Sequence, residues 1–238
     1  MKTYITLLTL ISGLFAISLS SFAGVSLDKT RIVFNESDKN QSINIINDSD
    51  KLYLVQNTIL VDHANAQSEA VTQFVTVPPL ARLEKNSRNA IRILPKDFSK
   101  LPADRESIFY FVVNLIPEGK KIKNNDNDIA ANFNIATRII IKVFYRPASV
   151  AGDADKLAGS LSFSTDGKRL TIKNPSGYFY TLEYLNLDGK DYHADRAPMV
   201  PPFSSVSLPV SGKINQVEWR VINDLGGASD LFKTTAGK

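Results

Sequence analysis

Five charged residues stand at the ends of strongly apolar runs. Arg31 falls between Val25/Leu27 and Ile32/Phe34, Glu106 precedes SIFYF, Lys142 and Arg146 flank VFY, and Asp224 follows VEWRVIN. A charge beside a core is costly unless a partner compensates it. One such residue would be read as half of a surface ion pair of negligible value. Their recurrence at strand ends points instead to a buried network at the junction of two domains. Covalent chemistry has no comparable support. The two histidines, His63 and His193, sit in polar loop contexts, so a metal site built on imidazole is not expected and no cofactor is implied. The sequence contains no His-Glu-x-x-His, no Gly-x-Ser-x-Gly elbow and no phosphate-cradling Gly-Lys-Ser loop. Asp48/Asp50 and Asp126/Asp128 fall in solvated turns, and Gly226-Gly227 reads as a turn. An enzyme is not expected.

The elements that must hold these charges are strands. Residues 132–147, NFNIATRIIIKVFYRP, place Phe133, Ile135, Ile139, Ile141 and Val143 on one parity and Asn134, Arg138 and Lys142 on the other. That is the period of two of a β-strand. At about 3.3 Å per residue it would run roughly 45 Å, far beyond the common five or six residues. It is either one long half-buried strand with its cations in water, or a strand presenting an apolar row to something outside the protein. It stops at Pro147, which cannot donate to a ladder.

Upstream, short strands separated by polar turns are expected at KLYLVQNTILV, TQFVTVP, NAIRILP and SIFYFVVNLIP, after two shorter ones near residues 25–34 and 43–45. Pro78-Pro79 must break its strand, and either bond is a candidate for the cis form. Turns about every ten residues point to an antiparallel sandwich. Residues 148–156, ASVAGDADK, have the small, polar character of a linker. A second β-domain is expected beyond it, from LSFS, KRLTIKN, GYFYTLEYLNL, VSLPV and VEWRVIND, with hairpin signals at Asp166-Gly167 and Asp188-Gly189.

The first 23 residues read as a cleaved secretory signal: a charged start, an apolar middle and a small-residue exit at Ala23. The expected division is thus 1–23 signal, 24–147 first domain, 148–238 second domain. With 28 basic against 24 acidic residues and no basic block interleaved with aromatics, no nucleic-acid partner is indicated. Zero cysteines rule out a disulfide-stapled scaffold and are compatible with a Gram-negative periplasm.

Five stretches in order, VSLDKTR, VPPLARLE, LPADRESIFYF, IKVFYRP and VINDLGG, resemble the PapD-like periplasmic chaperones of the chaperone-usher pathway over nearly the whole chain after residue 23. The resemblance implies an all-β chain of two immunoglobulin-like sandwiches in a boomerang arrangement. It implies binding of fimbrial subunits by donor-strand complementation, a form of β-augmentation, and delivery to an outer-membrane usher. By position, Phe133, Ile135, Thr137, Ile139 and Ile141 would be the donor row, with Thr137 smaller and more polar than the family's usual residue. Arg31 and Lys142 would anchor the subunit's C-terminal carboxylate. Glu106, Arg146 and Asp224 would form an interdomain charge triad, and Leu54, Gln56, Pro78, Pro79 and Arg92 would face the usher.

Strict alternation sets Lys142 opposite Ile139 and Ile141, so either the strand twists or bulges before the cleft, or the carboxylate arrives from the other side. The span from Glu118 to Ala131 matches the short F–G loop group, and self-association through the G strand is a further expectation. The alternative is a secreted structural or adhesive sandwich protein, which should carry an N-terminal donor extension rather than a long internal strand followed by a second domain.

Overall fold

The computed structural model describes residues 24–62, 64, 70–118, 137–150, 152–194 and 197–237. Phe133 and Ile135, the loop up to Ala131, His63 and the signal segment 1–23 therefore lie outside the described residues. The first half contains β1 (Val25–Leu27), β2 (Arg31–Asn35), β3 (Gln41–Asn47), β4 (Tyr53–Leu60), β5 (Phe74–Val77), β6 (Leu80–Leu83), β7 (Ser87–Pro95), β8 (Ser107–Pro117) and β9 (Thr137–Arg146). These make two facing sheets, β1-β3-β7-β5 and β2-β9-β8-β4-β6. The core between them follows the period of two: Ile43/Ile45, Val55/Ile59, Ile91/Ile93, Phe109/Phe111/Val113/Leu115 and Ile141/Val143/Tyr145 all point inward.

Every connection from β1 to β8 passes between the two sheets, and two of these crossovers shape the site. The chain leaves β1 in the first sheet and enters the second as β2, which runs parallel to β9 with Arg31 opposite Lys142 and Asn35 opposite Arg146. It passes from β5 to β6, again between sheets, through Pro78-Pro79, with the Val77–Pro78 bond cis. The strand at Leu80–Leu83 is not announced by the sequence, since the two prolines mask the restart of a ladder on the opposite sheet.

The second half contains α1 (Ala154–Leu157), β10 (Ser162–Thr165), β11 (Arg169–Lys173), β12 (Tyr180–Leu187), β13 (Lys190–Asp191), β14 (Met199–Val200), β15 (Ser205–Pro209), β16 (Gln216–Val221) and β17 (Phe232–Thr235). Its sheets are β10-β11-β15 and β13-β12-β16-β17. Trp219, 1% exposed, is the largest side chain of its core, and its indole N–H donates to the Ala158 carbonyl at 3.1 Å. The stretch read as a plain linker holds the short α1, capped where the Asp153 carboxylate accepts from the main-chain N–H groups of Asp155 and Lys156. Beyond β17 the chain crosses to the other sheet, where the Gly237 N–H donates to the Phe163 carbonyl and the Thr165 N–H donates to the Gly237 carbonyl.

Candidate functional site: a cationic interdomain cleft beside a half-covered strand

Strand β9 organises the site through its two faces and its two edges. Its odd row, Ile141, Val143 and Tyr145, belongs to the first domain's core, with Ile139 packed against it. Its even row, Lys142, Phe144 and Arg146, faces the second domain. Phe144 is 3% exposed and its ring lies 5.8 Å from that of Phe179. The register against β8 runs from Thr137 to Tyr145 without interruption. No bulge is needed to bring Lys142 to the second-domain side, where it meets Thr181.

One of β9's edges is paired with β8 throughout. The other is covered by β2 only from Lys142 to Arg146. Because β1 belongs to the opposite sheet, residues 137–141 have no strand on that side among the described residues. The missing neighbour leaves main-chain donors and acceptors open to an added strand. Within this stretch Thr137 is exposed, whereas Ile141, expected in the donor row, is buried in its own domain's core at 8% exposure. By Ile141 the sheets have closed over the strand, so the apolar row open to a partner ends before it.

The two cations meet where the uncovered edge stops. Arg31 is 9% exposed, donates from Nη1 to the Ile222 carbonyl at 2.9 Å, and holds its guanidinium carbon 5.6 Å from the centre of the Phe144 ring. Its Nε is buried without a partner. Lys142 donates from Nζ to Thr181 Oγ1 at 3.1 Å. Burial pulls the pKa of Arg31 down against the opposing charges of Asp224 and Glu106. Burial, then the charge of Arg31, pulls Lys142 down as well. Two desolvated cations side by side with an unused N–H make a site that an anion would complete. Thr181 and the Ile222 carbonyl were not legible in the sequence, since a threonine in a strand and a main-chain oxygen leave no pattern.

Arg146 stands between Glu106 and Asp224. Arg146 donates from Nε to Glu106 Oε1 at 2.8 Å and from Nη1 and Nη2 to the two Asp224 oxygens at 2.7 and 2.9 Å. The other Glu106 oxygen accepts the Phe179 N–H at 2.8 Å, so this carboxylate ties both domains at once. Arg146 also stacks over Tyr178, 4.9 Å from its ring centre. Both pKa values rise within this network, which favours the neutral form of the carboxyl and the charged form of the guanidinium. At Glu106, 4% exposed, burial outweighs the charge of Arg146 and raises the pKa. At Arg146 burial is overcome by the hydrogen bonds to Asp224 and the charge of Glu106, and the value rises. The geometry, donors on both Glu106 oxygens, is that of an ionised carboxylate at neutral pH.

A raised carboxyl has a defined linkage sign. Between the ordinary carboxylate range and the higher folded value, the native chain holds the extra proton. The increment from Glu106 therefore grows as pH falls through that window and is lost as pH rises through the folded value. Denaturant titrations across mildly acidic pH should give a slope that Glu106→Gln removes.

The loop after β16 seals the junction. Asn223 Oδ1 accepts the N–H groups of Leu225 and Gly227, and Gly226 takes φ +88°. A Cβ on Gly226 would collide with Thr30 Oγ1 of the first domain. Gly226→Ala is expected to lower stability by about 1–3 kcal/mol, from backbone strain and this collision together. A thermal melt checks it, and adding Thr30→Ala should restore only the part due to contact.

The remaining expected residues form a separate surface. Leu54 pairs with Ile116 and Arg82, Gln56 pairs with Leu80 and Asn114, and the Pro78-Pro79 turn adjoins them. Leu54, Leu80 and Ile116 are 40%, 54% and 45% exposed. Arg92 lies on the other sheet, exposed and directly opposite Val77 at the turn's far end. Ile116 and Leu80 were missed, although Ile116 has the outward parity of its strand. Among the described residues no cluster of three or more His, Cys, Asp or Glu side chains could hold a metal ion. No helix there is long and apolar enough to cross a membrane.

These features define a two-domain immunoglobulin-like sandwich protein with a cationic interdomain cleft. The profile described as "Pili and flagellar-assembly chaperone, PapD N-terminal domain" matches residues 24–151, and "Pili assembly chaperone PapD, C-terminal domain" matches 156–233. Chaperone protein FocC of Escherichia coli is 32% identical over 216 residues, covering 90% of each chain. Chaperone protein LpfB of Salmonella typhimurium is 33% identical over 222 residues, covering 91% of each.

Among solved structures, the E. coli chaperone DraB matches with a TM-score of 0.77 at 30% identity, over 90% of this chain and 97% of that one. A chain from the complex of the Salmonella enterica SafA pilin with the SafB chaperone matches with a TM-score of 0.77 at 26% identity, over 91% and 98%. The chain belongs to the PapD family of pilus-assembly chaperones. It is a chaperone of pilus assembly and not an enzyme.

Proposed function

We propose that this chain binds fimbrial subunits in the periplasm by lending them strand β9, and hands them to an outer-membrane usher. The observation that carries the reading is the coincidence of a strand edge uncovered from residue 137 to 141 with two desolvated cations, Arg31 and Lys142, where the cover begins. An incoming strand pairs its main chain with that edge until its terminal carboxylate meets the cations, which set its register. Each charge-assisted bond contributes about 1.5–3 kcal/mol, so the anchor outweighs any single ladder bond. Phe133, Ile135, Thr137 and Ile139 offer the side chains that enter the subunit's groove, and Ile141 supports them from within the core. The interdomain triad Glu106, Arg146 and Asp224 fixes the angle at which the second domain presents Thr181 and the Ile222 carbonyl. The surface of Leu54, Gln56, Pro78, Pro79 and Arg92, with Leu80 and Ile116, is the usher-facing one. Residues 1–23 direct export and are removed. No cofactor takes part.

The test is a pull-down of the tagged mature chain from the periplasm of its own host during fimbriation, followed by mass spectrometry. Recovery of small β-rich secreted subunits, lost on Lys142→Ala, is the expected result. A clean monomer from fimbriated cells would overturn the reading.

A further inference from the structure

Along β4 the odd positions Val55, Asn57 and Ile59 face the core, 1%, 3% and 3% exposed. Position 57 is therefore an apolar slot occupied by an amide. Its Oδ1 is buried without a hydrogen-bond partner, which costs stability that a valine would not. The rest of the residue is fully engaged with one short segment. Asn57 Nδ2 donates to the Pro78 carbonyl at 3.1 Å, the Asn57 main-chain N–H donates to the Pro79 carbonyl at 2.8 Å, and the Asn57 carbonyl accepts from Thr76 Oγ1 at 3.0 Å. Proline has no N–H, so the two carbonyls are the polar main-chain groups these residues possess. Both end on Asn57.

We propose that Asn57 is a positioning residue: it pins the Pro78-Pro79 turn and so sets the shape of the apolar surface that meets the usher. The inference rests on the usher-facing reading of that surface. What the turn delivers is Leu80, which emerges directly from Pro79 and is paired with Gln56, one residue along β4 from the amide. Leu80, Leu54 and Ile116 each expose two-fifths or more of their surface, and Val77 at the turn's other end exposes 43%. A patch built from three strands of one sheet and the end of a strand of the other keeps its contour only if the crossover between them is held. Without the amide, the Pro78 carbonyl loses its donor while the core around Val55 and Ile59 gains a better-packed neighbour. Stability and usher recognition then move in opposite directions.

The experiment uses chaperone–subunit complexes of wild type, Asn57→Val, Asn57→Ser and Leu80→Asp, with the host usher purified from outer membrane in detergent as the immobilised probe. Expected are wild-type subunit capture by both Asn57 variants, an Asn57→Val melting temperature at or above wild type, and usher binding about tenfold weaker for each. Amide exchange at Leu80 and Ala81 should quicken in both. Unchanged usher binding by the Asn57 variants, with Leu80→Asp abolishing it, would overturn the inference and leave the usher-facing reading intact. Unchanged binding by Leu80→Asp would overturn both. A loss of binding seen only together with lost capture or folding would also overturn it, because packing alone would then suffice.

Discussion

Lys142→Ala is expected to give a folded chain that retains subunits at least a hundredfold less well than wild type. Lys142 is desolvated beside Arg31, and its ammonium donates to Thr181 Oγ1. Removing it relieves repulsion, so the melting temperature should hold or rise slightly. What disappears is one of two charge-assisted contacts to an arriving carboxylate, each contributing about 1.5–3 kcal/mol, together with the register they set. Arg31→Ala should also abolish capture but is the less clean variant, since it strips the Ile222 carbonyl of its donor. The readouts are subunit recovery and thermal unfolding. Wild-type protection of a subunit by either variant would sink the anchor assignment.

The same residue gives capture a pH dependence with a definite sign. A lysine held below its ordinary value loses its proton earlier as pH rises. Capture should therefore weaken at alkaline pH sooner than a free lysine would dictate, and Lys142→Arg should flatten the profile. Stability of the free protein runs the other way. Between the lowered folded value and the ordinary one the unfolded chain holds the extra proton, so stability rises with pH through that window.

The second large effect is on architecture. Arg146→Ala is expected to cost about 3–5 kcal/mol, because it leaves Glu106 charged, buried and short of its main donor. Against a total stability of about 5–15 kcal/mol that is a major fraction. Asp224→Asn should cost no more than about 1 kcal/mol: Asp224 has 45% of its side chain exposed, and solvent screens the pair. Chemical denaturation of the three proteins gives the ranking. Equal losses for the two variants would show that Glu106 is not the buried hub. Glu106→Gln removes the charge and one acceptor together, since the single amide oxygen can take the place of Oε1 toward Arg146 or of Oε2 toward the Phe179 N–H, but not both.

The apolar runs SIFYFVVNLIP and IIIKVFYR were enough to place both strands, but not to say which row of each faces its own core. The five charges were visible as anomalies for the same reason, each interrupting an apolar run. What alternation does not encode is which residues a second domain supplies. Thr181, Phe179 and the Ile222 carbonyl are brought to Arg31 and Lys142 by packing between domains, and nothing local marks them. Pro78-Pro79 was legible as a break but not as a change of sheet. Asn57 looked like any polar residue in a strand until its partners across the crossover were known. Ile141 was placed in the donor row by its match to the family resembled, and the sequence does not say where along β9 the sheets close over that row.

The return of the chain from β17 to the opposite sheet carries a consequence for the order of assembly. The first domain's ladders are complete once Arg146 has paired with the β2 strand, before any of the second half is required. The second sandwich closes only when residues 232–237 have arrived, with Phe232–Thr235 against β16 and Gly237 against Phe163 and Thr165. Domains emerging from a vectorial process fold as units, the leading one first. On the proposed reading, the uncovered edge is thus exposed before the cleft beside it exists, since Thr181 and Ile222 belong to the later domain. A nascent chain in this interval has a sticky strand without its selectivity, and the last six described residues end that interval.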